Sequence, residues 1–353
     1  MMEIYVHKLS GEFFECREII DFAISVIWVV RYNDPGEFEL YLPADGNLVQ
    51  LFEGETLLTR PNSRYSMLVE SVEIESDPEN GDKLIVKGRS SESILGRRVV
   101  SRQRTFAGGI TEATLRSLVN EEVVASFEPE RRISCVRMGT YHRLGTIGPT
   151  QVTGKNVLDK VSEICKQQNL GFALYYSETR QGYFDFTIYQ GSDKTSQVIF
   201  SPDFENLGAT DYSEDNTEHY TAAYVAGQGQ GLDRVIVPVS DGTTGLARRE
   251  VWVDARNTSS QTDSGQMSDE EYREILSQQG AETLAAHKTE VHFDGEILDA
   301  NGYTYGTDYG LGDIVTVRTG YGLETIAQVV EVTEVEDEDG YKIIPTLAEW
   351  RQI

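Results

Sequence analysis

The sequence predicts a mainly β protein of the α+β class, in which two small β-barrels bracket helical excursions and α+β units decorate the outside. Three observations carry this expectation. Short alternating or continuous apolar runs, separated by Gly, Pro, Asn and Asp turns, fill both ends of the chain. Capped apolar stripes at helical spacing lie between them. In the middle, residues 221–257 combine two strand patterns, two glycine-rich breaks and an arginine-flanked third strand.

Residues 1–101 are expected to form the first barrel. ISVIWVVR at 24–31 is a continuous apolar run suited to a strand buried on both faces, whereas Phe38, Leu40 and Leu42 alternate with Glu37, Glu39 and Tyr41 as in a half-buried strand. NDPG at 33–36 turns the chain between them. Strands at 67–75 and 83–87 flank DPENGD at 77–82, whose Asn-Gly pair tolerates positive φ.

Residues 102–200 have the pattern of an α+β unit. Thr111 is the expected N-cap of a first helix, with Ile110 stapled on Leu115 and with Leu115, Leu118 and Val119 on one face. Thr153 is expected to cap a second, Val152 packing on Val157. Its apolar face of Val157, Leu158, Val161, Ile164 and Cys165 makes Cys165 a small core residue. Strands at 171–176 and 183–189 follow, on either side of a polar turn at 177–182.

The second barrel is expected to be split, from 201–245 together with 289–353, with reversals at Asn301-Gly302 and Asp339-Gly340. Residues 246–288 form a helical insertion. There Ser268 and Glu271 make a capping box, Met267 staples on Tyr272, and the helix runs to about Lys288 although Gly280 weakens it.

Gly227, Gly229 and Gly231 raise the question of a phosphate cradle. Such a cradle needs its glycines between a strand and a helix, because the free N–H groups of the helix start bind the phosphate. Here a second strand, LDRVIVPV at 232–239, follows, and no Lys-Ser or Lys-Thr pair succeeds the glycines. They are read as the turn of a hairpin.

At 353 residues the chain is long enough for about two to four subdomains, each with a core. Its 31 Lys plus Arg against 58 Asp plus Glu leave a formal charge of −27, which excludes a general nucleic-acid clamp. The charge serves solubility, or makes a surface that lets a polyanion pass without holding it. Three cysteines without CxxC spacing suggest neither a disulfide framework nor a zinc site, and fit a reducing compartment. No basic-then-apolar leader opens the sequence and no apolar window approaches about eighteen residues, so a soluble chain with no membrane insertion is expected.

Catalytic patterns are weak. Among His7, His142, His219, His287 and His292 the best local metal candidate is HKTEVH at 287–292, but that spacing crosses from a helix end into a strand and shares no face. Cys135 and His142 flank a loop with nothing to orient them as nucleophile and base. GxSxG, HExxH and DxDxDG are all missing, and no catalytic residue, metal or cofactor is expected. Positive charge gathers instead at Arg97 and Arg98 in LGRRVV, and at Arg248, Arg249 and Arg256, with Asp254, in ARREVWVDAR. These arginines pair either with carboxylates of their own chain or with acids on another subunit, where the planar guanidinium is favoured.

Several stretches, in order along nearly the whole chain, resemble the tail-tip hub proteins of long-tailed bacteriophages, in the siphophage Gp37-like and tail-associated-protein-like group related in fold to myophage baseplate hubs. They are PGEFELYLP near the N-terminus, KLIVKGRSSESILGRRVV at 83–100, VIFSPDFENLG at 198–208, YVAGQGQGLDR at 224–234, RREVWVDAR at 248–256 and YGLGDIVTVRTGYG at 309–322. The resemblance implies a homotrimer whose paired barrels alternate around a channel, located at the virion tail tip after assembly in the host cytoplasm. The implied partners are the distal tail or tail tube protein, the tape-measure protein and receptor-binding or fibre proteins. DNA would pass the lumen without specific binding. Many members continue into fibre-like or peptidase segments; this sequence stops at Ile353, which puts host binding or wall cutting by this chain in doubt. The alternatives are a tail-tip peptidoglycan or glycan hydrolase and a carbohydrate-binding module. Peptidoglycan cleavage would discriminate the first and glycan binding the second, although Trp28, Trp252 and Trp350 lie far apart in sequence.

Overall fold

The computed structural model describes residues 2–349 apart from 62, 77–80, 178–179, 263–264, 298–301, 319 and 321–323. The turns expected at 77–82, 177–182 and Asn301-Gly302 fall partly outside these residues, as does the end of the 309–322 stretch, and Trp350 lies outside them altogether.

The N-terminal region is strand after strand: β1 (Ile4–Ser10), β2 (Phe13–Ile20), β3 (Ser25–Arg31), β4 (Glu37–Pro43), the short helix α1 (Gly46–Phe52), β5 (Thr56–Thr59), β6 (Met67–Glu75) and β7 (Lys83–Ser90). Trp28, Val29 and Val30 of β3 are all buried, as a continuous apolar run requires. In β4, Phe38, Leu40 and Leu42 point inward while Glu37, Glu39 and Tyr41 stay at least partly exposed.

The α+β unit holds α2 (Thr111–Val119), β8 (Val136–Met138), α3 (Val157–Gln168), β9 (Gly171–Tyr176) and β10 (Phe184–Tyr189). Its three-stranded sheet has the order β8-β10-β9, with β8 parallel to β10 and β9 antiparallel to it. Leu115, Leu118, Val161, Ile164 and Cys165 from the helices share one core with Phe172, Phe184 and Phe186 from the strands. Burial of the Cys165 thiol pushes its pKa far up, as for a small apolar filler. Both expected caps move. Thr111 is the first helical residue and its N–H goes to Gly145 O, so Ile110 stands at the cap position without a side-chain bond. Asn156, not Thr153, caps α3, its Oδ1 accepting from Leu158 N at 2.9 Å. Thr153 is followed by Gly154 at φ +68, which turns the chain before the helix starts.

The C-terminal half contains β11 (Ile199–Phe200), β12 (Leu207–Asp215), β13 (Ala222–Ala226), β14 (Ile236–Ser240), β15 (Glu250–Asp254), α4 (Asp269–Ala286), β16 (Glu290–Ile297), β17 (Ile314–Arg318), β18 (Glu324–Asp337) and β19 (Gly340–Glu349). The capping box on α4 is present as expected: Ser268 Oγ accepts from Glu271 N at 3.2 Å, and Glu271 Oε2 accepts from Ser268 N at 2.9 Å.

The architecture departs from two separate barrels. The strands of both ends form one 13-stranded sheet with the path β12-β16-β19-β18-β3-β4-β7-β6-β5-β1-β2, with β11 and β17 attached through β18. Strand β18 makes the junction. It is 14 residues long and bulged between Val329 and Glu331, so its first part pairs with β17 and its second, from Glu331 to Glu336, pairs with β3. An extra residue re-aims a strand, and one strand can then serve two sheets that sequence periodicity treats as independent. Among the described residues no ladder joins the path ends β2 and β12, so neither barrel is closed by hydrogen bonds within one chain. The two β-rich ends correspondingly share one core, in which Trp28 and Phe38 lie with Phe200, Val329 and Leu347.

β13 and β14, placed by their sequence in the second barrel, pair instead with β15 in a three-stranded sheet of their own, β14 antiparallel and β15 parallel to β13. One face of this sheet, with Ala223 and Val225, packs on Tyr272 and Leu276 of α4. Gly280 explains itself here. A Cβ on it would lie 2.6 Å from Val239 Cγ2 and 2.9 Å from Val225 Cγ2, so the glycine that weakens the isolated helix is what lets it seat on the sheet.

Candidate functional site

The predicted contact residues fall in two places. Arg97 and Arg98 end the turn after β7. Arg97 pairs with Glu55 at 2.8 Å, and Arg98 donates to the carbonyls of Arg131 at 2.6 Å and Arg97 at 2.9 Å. Burial, then the charges of Arg131 and Arg97, press the pKa of Arg98 down. The other group lies on and beside β15. Arg248 pairs with Glu250 at 2.6 Å, Arg249 donates to Asn216 O, and Arg256 grips both oxygens of Asp254, which also accepts from Arg234 at 2.7 Å. The bonds from Arg256, and then Arg234, hold the Asp254 carboxyl far below the usual range. The two arginine groups sit on different units, and each has partners within its own chain.

The three glycines occupy the connection from β13 to β14. A Cβ on Gly227 would lie 2.5 Å from the Tyr272 hydroxyl, and Gly229 takes φ +105 with Asp233 O 2.4 Å from where its Cβ would be. The Tyr272 hydroxyl itself accepts from Gln228 N at 2.8 Å and donates to Thr258 O at 3.0 Å. The loop is thus tied to α4 and to the segment leaving β15.

Sequence patterns missed the contacts that join the units. Tyr32, just after β3, is fully buried; its hydroxyl donates to Asn169 O at 3.1 Å, and its ring lies against Gly171 and Gly312, whose Cβ atoms would come within 2.4 and 2.3 Å of it. One side chain therefore touches the N-terminal strands, the α+β unit and the C-terminal region. Arg60 and Glu334 form a second junction. Arg60 Nη1 donates to Glu334 Oε2 at 2.7 Å, lies over the Trp28 ring at 5.1 Å, and Tyr341 donates to the same carboxylate. Beside this pair opens a cleft of about 1210 Å³, lined by tyrosines from all three regions, Tyr65, Tyr175, Tyr189 and Tyr305 among them. The third junction is Lys160 to Glu282 at 2.5 Å, joining α3 to α4 with both side chains buried. A signal for it existed, since Lys160 lies on the same helical stripe as Val157 and Ile164.

Burial pushes the Cys135 thiol up to about 11, so it stays protonated, and His142 Nδ1 sits 3.1 Å from Ile188 O. His287 Nδ1 is 3.6 Å from Glu218 and its ring packs on Tyr220; the side chain of His292 lies outside the described residues.

His7 of β1 has its Nε2 2.8 Å from Thr59 Oγ1, and burial lowers its pKa from 6.5 to about 4. The unfolded chain takes up this proton first as pH falls, so stability is full above pH 6.5 and declines from there towards pH 4. His7→Gln is expected to flatten that decline in urea-unfolding midpoints, and parallel curves for the two proteins would exclude His7 as a source.

The overall arrangement has solved counterparts. The tail protein from Neisseria meningitidis MC58 superposes with a TM-score of 0.54 at 12% identity, over 99% of this chain and 97% of that one. The 43 kDa tail protein of prophage MuSo2 from Shewanella oneidensis gives 0.54 at 12%, over 98% of both chains. Prophage tail protein gp18 from Listeria monocytogenes EGD-e gives 0.54 at 10%, over 100% and 96%. At such identities the likeness is one of fold, and the fold is similar to that of prophage tail proteins. No curated protein matches the sequence. Residues 4–347 match the family described as Siphovirus ReqiPepy6 Gp37-like protein, and the chain belongs to that family.

Proposed function

We propose that this chain is a structural hub at the distal end of a phage tail, carried in a virion, prophage or tail-derived particle. Three copies form a ring that joins the six-fold tube, or a distal tail protein, to three-fold parts below it, and gates the passage of DNA. The supporting observation is the match of fold over essentially whole chains to prophage tail proteins, in a member of a siphophage family. The role is non-enzymatic, with the tape-measure protein above and receptor-binding or fibre proteins attached as separate chains. In a ring of three the two β-rich regions of each copy alternate around the channel, which gives the three-fold hub the six-fold pattern of the tube above it. A charge of −27 per copy repels DNA phosphates in a narrow lumen, over the roughly 8–10 Å that salt allows.

Mass measurement in solution tests the proposal, with a species of three times the 39.5 kDa chain as the expected result. A strictly monomeric protein at every concentration, together with tail particles that bind an antibody against this chain nowhere near their tips, would refute it.

A further inference from the structure

Two surfaces of the chain are apolar, uncovered and different in charge. The first is the far part of the β1–β2 hairpin. From Glu15 to Ile19 five consecutive residues of β2 are exposed, so that among the described residues neither face of this part of the strand is covered; β2 is also a terminal strand of the main sheet. Soluble proteins seldom leave such an edge bare. Ile19, Phe22 and Ile24 are exposed here, among Glu12, Glu15, Glu18 and Asp21, with Arg17 the single opposing charge in this stretch.

The second is the outer face of the β13–β14–β15 sheet, opposite α4. Its register puts Tyr224 between Pro238 and Trp252, and Trp252 is more than half exposed. Leu232 and Leu246, in the loops at the two ends of the sheet, are fully exposed. Four arginines and four acids make residues 221–257 neutral, in a chain of −27. Arg234 lies over the Trp252 ring at 5.6 Å, and Arg256 is largely in solvent.

We infer that the acidic hairpin around Ile19 of one copy docks on the Trp252 face of the next. Apolar residues meet apolar residues, and the acids of the hairpin meet the arginine-bearing, neutral part of an otherwise repulsive chain. Because the two surfaces differ and both belong to every copy, the contact is head-to-tail and closes into a ring where the rotation permits. The inference rests on the proposed three-copy ring, and it names the surfaces that build it.

Sedimentation velocity on Ile19→Glu and Trp252→Glu separates the two ideas. Both residues are exposed, so unchanged circular-dichroism melts are expected; a variant with a lowered melt is replaced by Ile19→Thr or Trp252→Gln and measured in the same way. Each variant alone is expected to self-associate at least about tenfold more weakly than the wild type, as for a central apolar anchor. Their equimolar mixture is expected to give a two-chain species, because one intact hairpin and one intact sheet face remain and the other junction is blocked. Variants that assemble like an assembling wild type overturn the choice of surfaces and leave the ring standing. Variants that are monomeric alone and also when mixed overturn the pairing of hairpin with sheet. A wild type that never assembles overturns the head-to-tail contact, and the labelling of tail particles then decides the hub separately.

Discussion

Lys160→Met is expected to lower the unfolding free energy by about 3–5 kcal/mol, the usual cost of leaving one partner of a buried ion pair alone. The substitution strands Glu282, which is almost wholly buried and, among the described residues, loses its cationic partner while keeping the neutral donors Gln278 Nε2 at 3.3 Å and Thr150 Oγ1 at 3.4 Å. Glu282→Leu is expected to cost less, because Lys160 keeps a second carboxylate, Glu163, at 3.6 Å. Burial opposes the charge on Glu163, yet Lys160 and Lys155 hold its pKa below the usual range. The double variant, with both charges gone from the α3–α4 contact, is expected to recover most of the loss. Urea unfolding of the three proteins checks the order, and a double variant less stable than Lys160→Met would show that the pair itself holds the helices together. Exposed pairs such as Arg256–Asp254 should contribute little, since solvent screens both members.

Tyr32→Ala is the other large effect expected, at about 3–5 kcal/mol for an aromatic removed from a packed interior. The site has little means of collapsing, because Gly171 and Gly312 meet the ring with backbone and have no side chain to move into the space. Tyr32→Phe keeps the ring and loses the bond to Asn169 O, an expected cost of about 1–2 kcal/mol. Thermal unfolding compares the two. If Phe costs as much as Ala, the hydroxyl and not the ring is what joins the three regions.

Both side chains show what local patterns carry. Strand and helix identity in this chain is written in short-range periodicity: the run at β3, the alternation of β4, the stripe of α3 and the Ser268–Glu271 box each depend on residues within one or two turns of each other. The resemblance to phage hub proteins was likewise legible, because it lay in stretches of nine to eighteen residues kept in order. Helix caps were legible only in kind. Thr153 and Asn156 both have capping side chains, and the positive φ of Gly154 decided between them.

Strand pairing was not written locally. The bulge in β18 that carries one strand from β17 to β3, and the departure of β13 and β14 to join β15, depend on which partners are near, and a strand pattern names no partner. The arginines illustrate the same limit: their clustering was visible, while the partners within the chain, Glu55, Glu250, Asp254 and the Asn216 carbonyl, emerged only with the fold. Composition and periodicity thus settled the α+β, mainly β class of the fold, the acidic character of the chain and most of its elements. Tertiary structure alone decided that its two β regions share one sheet and one core, and that Tyr32, Arg60–Glu334 and Lys160–Glu282 join the parts, because contacts between residues more than a hundred positions apart leave no mark on the period of either segment.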